Sequence, residues 1–409
     1  MAQGPRRRWL WWLTPAAAVG LGWLVWTFAG EPQAAPVSAA PPSAGARPAA
    51  NTSSQQQAAA SAAPFSAAGA NARQMQLALW QQRLERAQSA LDAYRSSTRY
   101  PHESRPASEH PDQMQPNQPV AEDHAFRMPG TTGSANGLQL KTTQERVFVQ
   151  GSESVRFTVS LRDSDGKALP LRIVRAAARE VPPARTASLY PEVPLDFNDD
   201  GNAGDAAAAD GVYSARLQPA TQGFAGLLGQ IRVQVFMQYR DLQGFTYFDI
   251  VYSGDAPASW QGGPREALED GSLNFYLKAD VREAGRYVVT GRIDDASGKP
   301  FALLTFNEEV QAGPQEFKLT LFGKLVRDAK PQFPLTLRDV DGFLLRPDAY
   351  PDRKLMPRLP GKLLASKEYP LASFADAEWS SEERDRYLSE LSRDVTQAQT
   401  RIDQLATGP

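Results

Sequence analysis

Oxygen-bearing side chains crowd one short run of this sequence, DFNDDGNAGD, which begins at Asp196. Asp196, Asn198 and Asp200 stand at the first, third and fifth positions of a calcium-loop pattern, and Gly201 stands at the sixth. A calcium ion needs several oxygen ligands on a tight turn, which this spacing supplies. The twelfth position would be a bidentate glutamate in an EF-hand, but it is Ala207, so the run is not an EF-hand. The predicted calcium ligands are Asp196, Asn198, Asp200, Asn202, Asp205 and Asp210.

A second interpretation of the same run needs no metal. Asp and Asn side chains accept hydrogen bonds from backbone amides two residues further on, and Gly supplies the turn conformations that other residues avoid. The sequence leaves calcium binding and a metal-free Asx-turn loop both open. Calcium is the only cofactor that it suggests.

Histidine and cysteine usage excludes several kinds of catalytic site. The chain has no cysteine, so disulfides, thiol catalysis and cysteine metal sites are excluded, and a periplasmic location is permitted. Its three histidines, His102, His110 and His124, lie in one Pro- and Glu-rich tract, which is either a linker or a weak metal site. The predicted β regions therefore lack a histidine for a catalytic triad, a zinc site or general base catalysis. We expect no enzymatic activity.

An uncharged apolar stretch near the N-terminus predicts how the chain is placed in the cell. Residues 9–30 are long enough to cross a bilayer, and three arginines precede them. The positive-inside bias places residues 1–8 in the cytoplasm and the rest outside it. A cleaved signal peptide is the competing interpretation, although such segments are usually shorter. The predicted anchor residues are Arg6, Arg7, Arg8, Trp9, Trp11, Trp12, Trp23 and Trp26.

Composition divides the next part of the chain into a tether, a helix and a linker. Residues 31–72 are rich in Ala, Pro, Ser and Gln, and they predict a disordered tether. Residues 73–95 carry apolar side chains at alternating spacings of three and four, which predicts an amphipathic helix. Residues 96–136 show no apolar periodicity and predict an irregular linker.

Alternation of apolar and polar residues then predicts two β domains. In the first, over 137–256, Ile231 to Tyr239 are apolar at every odd position, and Gly/Asp turns separate short strands. The second, over 257–346, repeats this pattern, so we expect two antiparallel sandwiches. Residues 347–379 predict an extended segment, and 380–406 a helix that begins with a Ser380–Glu383 capping box.

Two apolar stripes of equal length flank the β domains. We expect the two helices to pack together, within one chain or between chains as a homo-oligomer. Alternatively, each helix lies against the sandwiches or is solvated. The predicted pairing residues are Leu77, Trp80, Leu84, Leu91, Leu388, Leu391, Val395, Ile402 and Leu405.

Several motifs in the β region carry a resemblance to a known family. They are GDAAAADGVYSARL in the first domain and EAGRYVVTGRIDDASGKP, FKLTLFGKLVRDA and PLTLRDVDGFLL in the second. These motifs resemble tandem immunoglobulin-like domains of bacterial extracytoplasmic proteins of the "choice-of-anchor" type. The resemblance covers about 138–345 and implies an immunoglobulin-like fold outside the cytoplasm. This chain has Leu335 where that family often has a tyrosine, so no surface role of that tyrosine transfers.

The sequence thus predicts a mainly β protein with a transmembrane helix, a disordered tether and two sandwiches between short heptad helices. We expect a single-pass bacterial inner-membrane protein, mostly periplasmic, with a non-enzymatic interaction or structural role. Its partner would be another envelope protein or a cell-wall polymer. The near balance of 44 basic and 46 acidic residues argues against nucleic acid. The alternative is glycan binding, with glycan hydrolysis ranked below it, and the candidate aromatics are Tyr239, Tyr247, Tyr252 and Trp260.

Overall fold

The computed structural model describes the residues 64–116, 118–127, 134–183, 186–202 and 204–407. The predicted anchor at 9–30 and most of the tether therefore lie outside the described residues. From Phe65 onward the described residues form one compact unit. Within that part of the chain, no helix combines the length and the apolar character needed to cross a membrane.

The described residues are mainly β, as predicted, and form four sheets and three α-helices. The helices are α1 Pro64–Ser97, α2 Gly323–Ala329 and α3 Glu382–Thr407. The earlier strands are β1 Ser104–Pro106, β2 Val120–Arg127, β3 Ser134–Gln144, β4 Phe148–Gln150, β5 Val155–Arg162, β6 Ala168–Leu169, β7 Arg172–Val181, β8 Val193–Pro194, β9 Val212–Leu217, β10 Leu228–Tyr239 and β11 Leu242–Ser253. The later strands are β12 Ala258–Glu269, β13 Ser272–Val281, β14 Gly285–Asp294, β15 Pro300–Val310, β16 Gly313–Leu321, β17 Thr336–Leu345, β18 Arg353–Leu355 and β19 Leu359–Ala365.

Two sheets enclose a first hydrophobic core, and we call this part, 120–253, the first β body. Sheet I has the order β2-β3-β5-β6, with β9 also paired to β5 beside β6, and sheet II has the order β4-β11-β10-β7-β8. Neighbouring strands are antiparallel except β4 and β11, which are parallel. Phe157 of sheet I meets Phe248 of sheet II with ring centroids 4.9 Å apart. Burying such side chains contributes about 1.5–3 kcal/mol each.

Two further sheets enclose a second core, and we call this part, 258–365 together with β1, the second β body. Sheet III has the order β12-β13-β16, and sheet IV has the order β1-β15-β14-β17-β18, with β19 also paired to β17. Phe317 of sheet III lies at the centre of this core. Its ring meets Phe306 edge-on at 5.1 Å and Tyr287 at 5.7 Å.

Both bodies use the same order of strands. In sheets I and III, β3-β5-β9 correspond to β12-β13-β16. In sheets II and IV, β8-β7-β10-β11 correspond to β15-β14-β17-β19. The correspondence holds strand by strand along the chain, so the outer surface of sheet II has a structural counterpart on sheet IV.

The segment predicted as an irregular linker, 96–136, supplies strands to both bodies. Strand β1 pairs with β15 of the second body, and β2 pairs with β3 of the first. Neither strand shows apolar periodicity, because β1 has three residues and β2 is an edge strand whose side chains are mostly exposed. Phe126 is the buried exception. Gly244 makes room for it, since a Cβ there would lie 2.3 Å from the Phe126 ring.

The two long helices differ in detail from their predicted bounds. Helix α1 begins at Pro64, nine residues before the predicted start at 73, in an Ala-rich stretch that favours helix. Helix α3 is capped by Ser381, whose Oγ accepts the Arg384 amide hydrogen at 3.1 Å. The expected capping box from Ser380 does not form, because Ser380 donates to the Asp385 carboxylate instead, at 2.9 Å.

Candidate functional site

The acidic loop joins β8 to β9 and brings together a different set of carboxylates from the predicted one. Three carboxylate oxygens, one from each of Asp199, Asp205 and Asp210, lie within 4.8 Å of one another, close enough to share a cation. Asp205 is 9% exposed, while Asp196 is exposed and outside this cluster. Of the four predicted carboxylate ligands, Asp205 and Asp210 belong to this cluster, and Asp196 and Asp200 do not.

These carboxylates already stabilise the loop by accepting hydrogen bonds. Asp199 accepts the amide hydrogens of Asp210 at 3.1 Å and Gly211 at 3.0 Å. Asp205 accepts the Gly201 amide hydrogen at 2.7 Å and the Ser214 hydroxyl at 3.2 Å. The loop therefore has the hydrogen bonds of the Asx-turn interpretation. It also has three carboxylates whose remaining lone pairs are of the kind that calcium prefers.

The two apolar helix stripes approach each other at one end. Tyr94 of α1 meets Tyr387 of α3 with ring centroids 5.7 Å apart. Arg384, which is 6% exposed, donates from Nε to Thr98 Oγ1 at 3.1 Å. Burial, together with the nearby Glu383 carboxylate, raises the pKa of Tyr94. The C-terminal end of α1 thus contacts the N-terminal end of α3.

Burial continues along both stripes beyond those contacts. Each stripe position is half-buried or buried, while most intervening positions are exposed. Ala398, four turns into α3, is 2% exposed. These stripe positions are Leu77, Trp80, Leu84, Ala87, Leu91 and Tyr94 in α1 and Leu388, Leu391, Val395, Ala398, Ile402 and Leu405 in α3.

Among the four aromatic residues predicted for glycan contact, Tyr247 alone presents an exposed ring. Tyr252 is fully buried and donates to the Gly151 carbonyl oxygen at 2.9 Å, and Tyr239 packs against the first core. Trp260 is half-buried and donates to the Pro357 carbonyl oxygen at 2.7 Å. Tyr247 is 50% exposed on the outer surface of sheet II.

Tyr247 belongs to a cluster on what we call the open face, the outward-facing side chains of β7, β10 and β11. Arg232 and Asp249 sit opposite each other on β10 and β11, and two hydrogen bonds of 2.8 Å join them. The Arg232 guanidinium lies 4.2 Å from the centroid of the Tyr247 ring, a cation–π geometry. Donating hydrogen bonds to the Asp249 carboxylate raises the pKa of Arg232. The pair is thus fixed in place beneath an exposed ring.

Aromatic rings extend from this cluster in both directions along the open face. On one side Phe245 lies 6.2 Å from Tyr247 and 4.9 Å from Phe236, between ring centroids. On the other side Tyr350, 56% exposed, donates from its hydroxyl to Gln230 Oε1. Partial burial, with a contribution from Asp249, raises the pKa of Tyr350. The result is a strip of rings across the middle of the sheet.

Positive charge flanks that strip. Register with β10 places three arginines of β7 on the same surface, beside the strip. One of them, Arg175, forms an ion pair with Glu192. Arg172 and Arg179 are both exposed, and their side chains form no ion pair or hydrogen bond with the described residues. With Arg232, the open face carries four arginines, of which Arg232 pairs with Asp249 and Arg175 with Glu192.

The outer surface of sheet III carries a similar arrangement, but its positive and negative charges balance. We call the outward-facing side chains of β12, β13 and β16 the matched face. Arg265 pairs with Glu316 through contacts of 3.2 and 2.8 Å and lies 3.9 Å from the Tyr276 ring centroid. Glu269 accepts the Tyr276 hydroxyl and raises the pKa of Tyr276 to about 12. Lys278 shares this surface. The same residue types therefore occur on both faces with different surroundings.

On sheet IV, the counterpart of the open face is covered by the chain itself, and we call it the covered face. The Arg292 side chain, 5% exposed, donates from Nε to the Gln113 carbonyl oxygen at 2.6 Å and pairs with Asp341 at 2.7 Å. Met114, 2% exposed, packs in a small apolar cluster with Leu303. The segment 107–116, which follows edge strand β1, therefore occupies this face.

Sequence reasoning missed most of the open face. The β10–β11 hairpin turns at 240–241, so counting outward from that turn would have placed Arg232 opposite Asp249. Tyr350 gave no such signal, because it comes from a segment more than a hundred residues away from Gln230. Asp199 was missed because the calcium-loop pattern skips its position.

No family model matches this chain, and no curated protein matches it. Among solved structures it is similar to a DUF4785 family protein from Legionella pneumophila subsp. pneumophila str. Philadelphia 1, at 15% identity over 56% of this chain and 57% of that chain, with a TM-score of 0.37. It is also similar to E. coli alpha-2-macroglobulin, at 14% identity over 58% of this chain and 15% of that chain, with a TM-score of 0.28. The chain thus spans less than two thirds of either protein, and function is argued from its own residues.

Proposed function

We propose that this chain is a non-enzymatic binding protein of the bacterial envelope that uses the open face as its binding surface. The observation that carries the proposal is the strip of half-exposed rings around the Arg232–Asp249 pair. Arg stays protonated in proteins, and here Asp249 holds it in a bidentate pair. Such a pair is suited to orienting a ligand rather than to transferring a proton.

The membrane placement is proposed from the sequence. Residues 9–30 anchor the chain in the bacterial inner membrane, with Arg6 to Arg8 in the cytoplasm and both β bodies in the periplasm. The stretch up to Pro64 then separates the anchor from α1. A cleaved signal peptide remains the alternative, and it would leave the same periplasmic placement.

We further propose that both bodies are immunoglobulin-like sandwiches of the "choice-of-anchor" type. Two observations support this: the shared strand order and the pairing of sheets around each core. The domain boundaries at 137–256 and 257–346 belong to the same proposal, with β1 and β2 added from the preceding segment.

The two helices are proposed to pair within one chain rather than to join two chains. The Thr98–Arg384 and Tyr94–Tyr387 contacts set an antiparallel register. Because both helices rise equally per residue, that register brings each stripe position of α1 opposite one of α3. The predicted pairs are Tyr94 with Leu388, Leu91 with Leu391, Ala87 with Val395, Leu84 with Ala398, Trp80 with Ile402 and Leu77 with Leu405. A homo-oligomer through these stripes is the alternative.

Glycan binding is a second candidate function, and one observation favours it. Tyr247 and Phe245 expose ring surface beside amide side chains of β10, a combination that suits sugars with apolar C–H faces and many hydroxyls. If the partner is not a glycan, we propose that the open face binds another protein of the bacterial envelope. Calcium binding at the acidic loop stays a prediction from the sequence.

Two measurements test the proposed function. Alkaline phosphatase fused after Thr407 should be active, because that enzyme matures only outside the cytoplasm, and the fusion should remain with membranes after carbonate washing. Full-length protein in detergent should bind washed bacterial envelopes, and Tyr247→Ala should reduce that binding about tenfold, as for an interface hot spot. The control, Tyr276→Ala on the matched face, should bind like wild type. Equal binding by both variants would rule out the open face.

A further inference from the structure

We infer that the ligand of the open face is an anionic polysaccharide, that is, a sugar polymer carrying carboxylate groups. This inference rests on the proposed function, and it names the chemistry of the ligand. Three properties of the face support it: its charge, its ring-and-amide composition, and its location on central strands.

Charge complementarity is the first argument. The open face has four arginines, two of which pair with the carboxylates of Asp249 and Glu192, and Arg172 and Arg179 have no ion-pair partner among the described residues. The matched face balances Arg265, Lys278 and Lys318 with Glu269, Asp280 and Glu316. Since the whole chain carries a net charge of −2, the excess on the open face is local. Two free guanidinium groups beside a flat surface attract carboxylates and hold them through paired hydrogen bonds.

Composition is the second argument. Gln234 and Gln238 of β10 and Gln243 of β11 face outward between the rings and the arginines. An amide both donates and accepts hydrogen bonds, as a sugar hydroxyl does, so amides and hydroxyls match without burying a charge. The exposed ring of Tyr247 offers an apolar surface on which the C–H face of a pyranose can stack.

Shape is the third argument. From Gln230 to Phe236 the strip spans about 20 Å along β10, which suits an extended polymer. β10 pairs with β11 on one side and with β7 on the other along nearly its whole length, so a ligand lying across β10 meets side chains and not a free backbone edge. Recognition along this strand is therefore by side chains.

The covered face shows how this fold holds a peptide on the corresponding sheet. There a 3-10 helix and the turns after it lie across the sheet, and the Gln113 carbonyl oxygen accepts a hydrogen bond from Arg292. That peptide is secured by Met114, which is buried against Leu303. The strip on the open face offers rings, amides and guanidinium groups where the covered face offers an aliphatic contact.

Binding of defined polymers to the full-length protein in detergent tests the inference. Polygalacturonate supplies carboxylates on sugar rings, its methyl ester supplies the rings without charge, and poly-L-glutamate supplies the carboxylates without rings. Titration calorimetry should show binding to polygalacturonate that weakens with salt, and binding at least about tenfold weaker to the other two.

Variants on the two faces locate that binding. Tyr247→Ala should weaken polygalacturonate binding about tenfold. Arg179→Gln should weaken it about two- to fivefold, as for a partly solvated charge. The controls Tyr276→Ala and Lys278→Gln on the matched face should leave it unchanged, and all four variants should keep the wild-type melting temperature.

Three results would overturn the inference. They are no binding to polygalacturonate, equal binding to poly-L-glutamate, or equal losses from the variants on both faces. The proposed function is judged separately by envelope binding. If Tyr247→Ala abolishes envelope binding while polygalacturonate does not bind, the binding protein stands and the polysaccharide ligand is wrong.

Discussion

Two corresponding sheets of this molecule differ in what lies on their outer surfaces. Sheet IV is covered by residues 107–116, which bury Arg292 and pack Met114 against Leu303. Sheet II, built in the same strand order, leaves Arg232 and Tyr247 partly exposed. The chain therefore supplies the occupant of one face itself and leaves the other available.

The difference shows how similar residues acquire different roles. Arg292 has its Nε on a carbonyl oxygen of the covering segment, so its charge contributes to holding the chain together. Arg232 is satisfied by Asp249 within its own sheet, so no other part of the chain is needed to hold it. A face whose polar groups are satisfied in this way can bind and release a ligand without unfolding.

The largest expected effect distinguishes these two arginines. Arg292→Ala should lower the free energy of unfolding by about 2–3 kcal/mol, because it removes a guanidinium group that is 5% exposed and that holds both the Gln113 carbonyl oxygen and the Asp341 carboxylate. Arg232→Ala should cost less than about 1 kcal/mol, since water reaches both members of its ion pair. Urea unfolding of the full-length protein measures both. Equal losses would mean that the covered and open faces are not energetically different.

The mainly β architecture was predictable because buried strands alternate apolar and polar residues. The odd positions from Ile231 to Met237 are all buried, as the alternation predicts. Strands β1 and β2 were not predictable, because an edge strand contributes backbone hydrogen bonds and few buried side chains. The covering of sheet IV by 107–116 likewise depends on tertiary contacts that no local sequence pattern indicates.

The candidate site was predictable only in part, for a related reason. Tyr247 stood among the predicted aromatics, but its partners Arg232 and Tyr350 emerge from strand register and from a distant segment. In the acidic loop, Asp205 and Asp210 were predicted, whereas Asp199 joins them through the path of the folded loop. Spacing along the chain identifies side chains of the right type but not those that converge in space.

A second prediction concerns α1 and α3, the helices that flank the two β bodies in the sequence. Ala398→Asp should reduce the protection of backbone amides in α1 and α3 against hydrogen exchange about 30-fold, the equivalent of about 2 kcal/mol. The reason is that it places a charge on the seam, the row of stripe residues along which the two helices are proposed to pair, where Ala398 is buried. Thr396→Asp, on the exposed side of α3, should change protection little. Hydrogen exchange measures both variants. Equal effects, or an effect confined to α3, would contradict pairing within the chain.

The register of those helices can be tested directly by crosslinking. Cysteines replacing Gln88 and Ser392 should crosslink within one chain, because both residues flank the seam at the same level of the proposed register. Cysteines replacing Gln88 and Gln399, two turns out of register, should not. Crosslinked dimers in place of monomers would favour the homo-oligomer instead.

The smallest expected effect concerns the acidic loop, which belongs to the first β body, the one that carries the open face. Loose extracellular calcium sites bind at about 0.1–1 mM, so calcium at ten times that dissociation constant would stabilise the fold by about 1.4 kcal/mol. The melting temperature should then rise by about 2–4 °C in calcium and not in magnesium. Asp210→Asn, inside the carboxylate cluster, should remove the shift, whereas Asp196→Asn, outside it, should retain it. Loss of the shift in Asp196→Asn alone would favour the sequence-based ligand set. No shift in millimolar calcium would leave the loop as a metal-free turn held by its own amides.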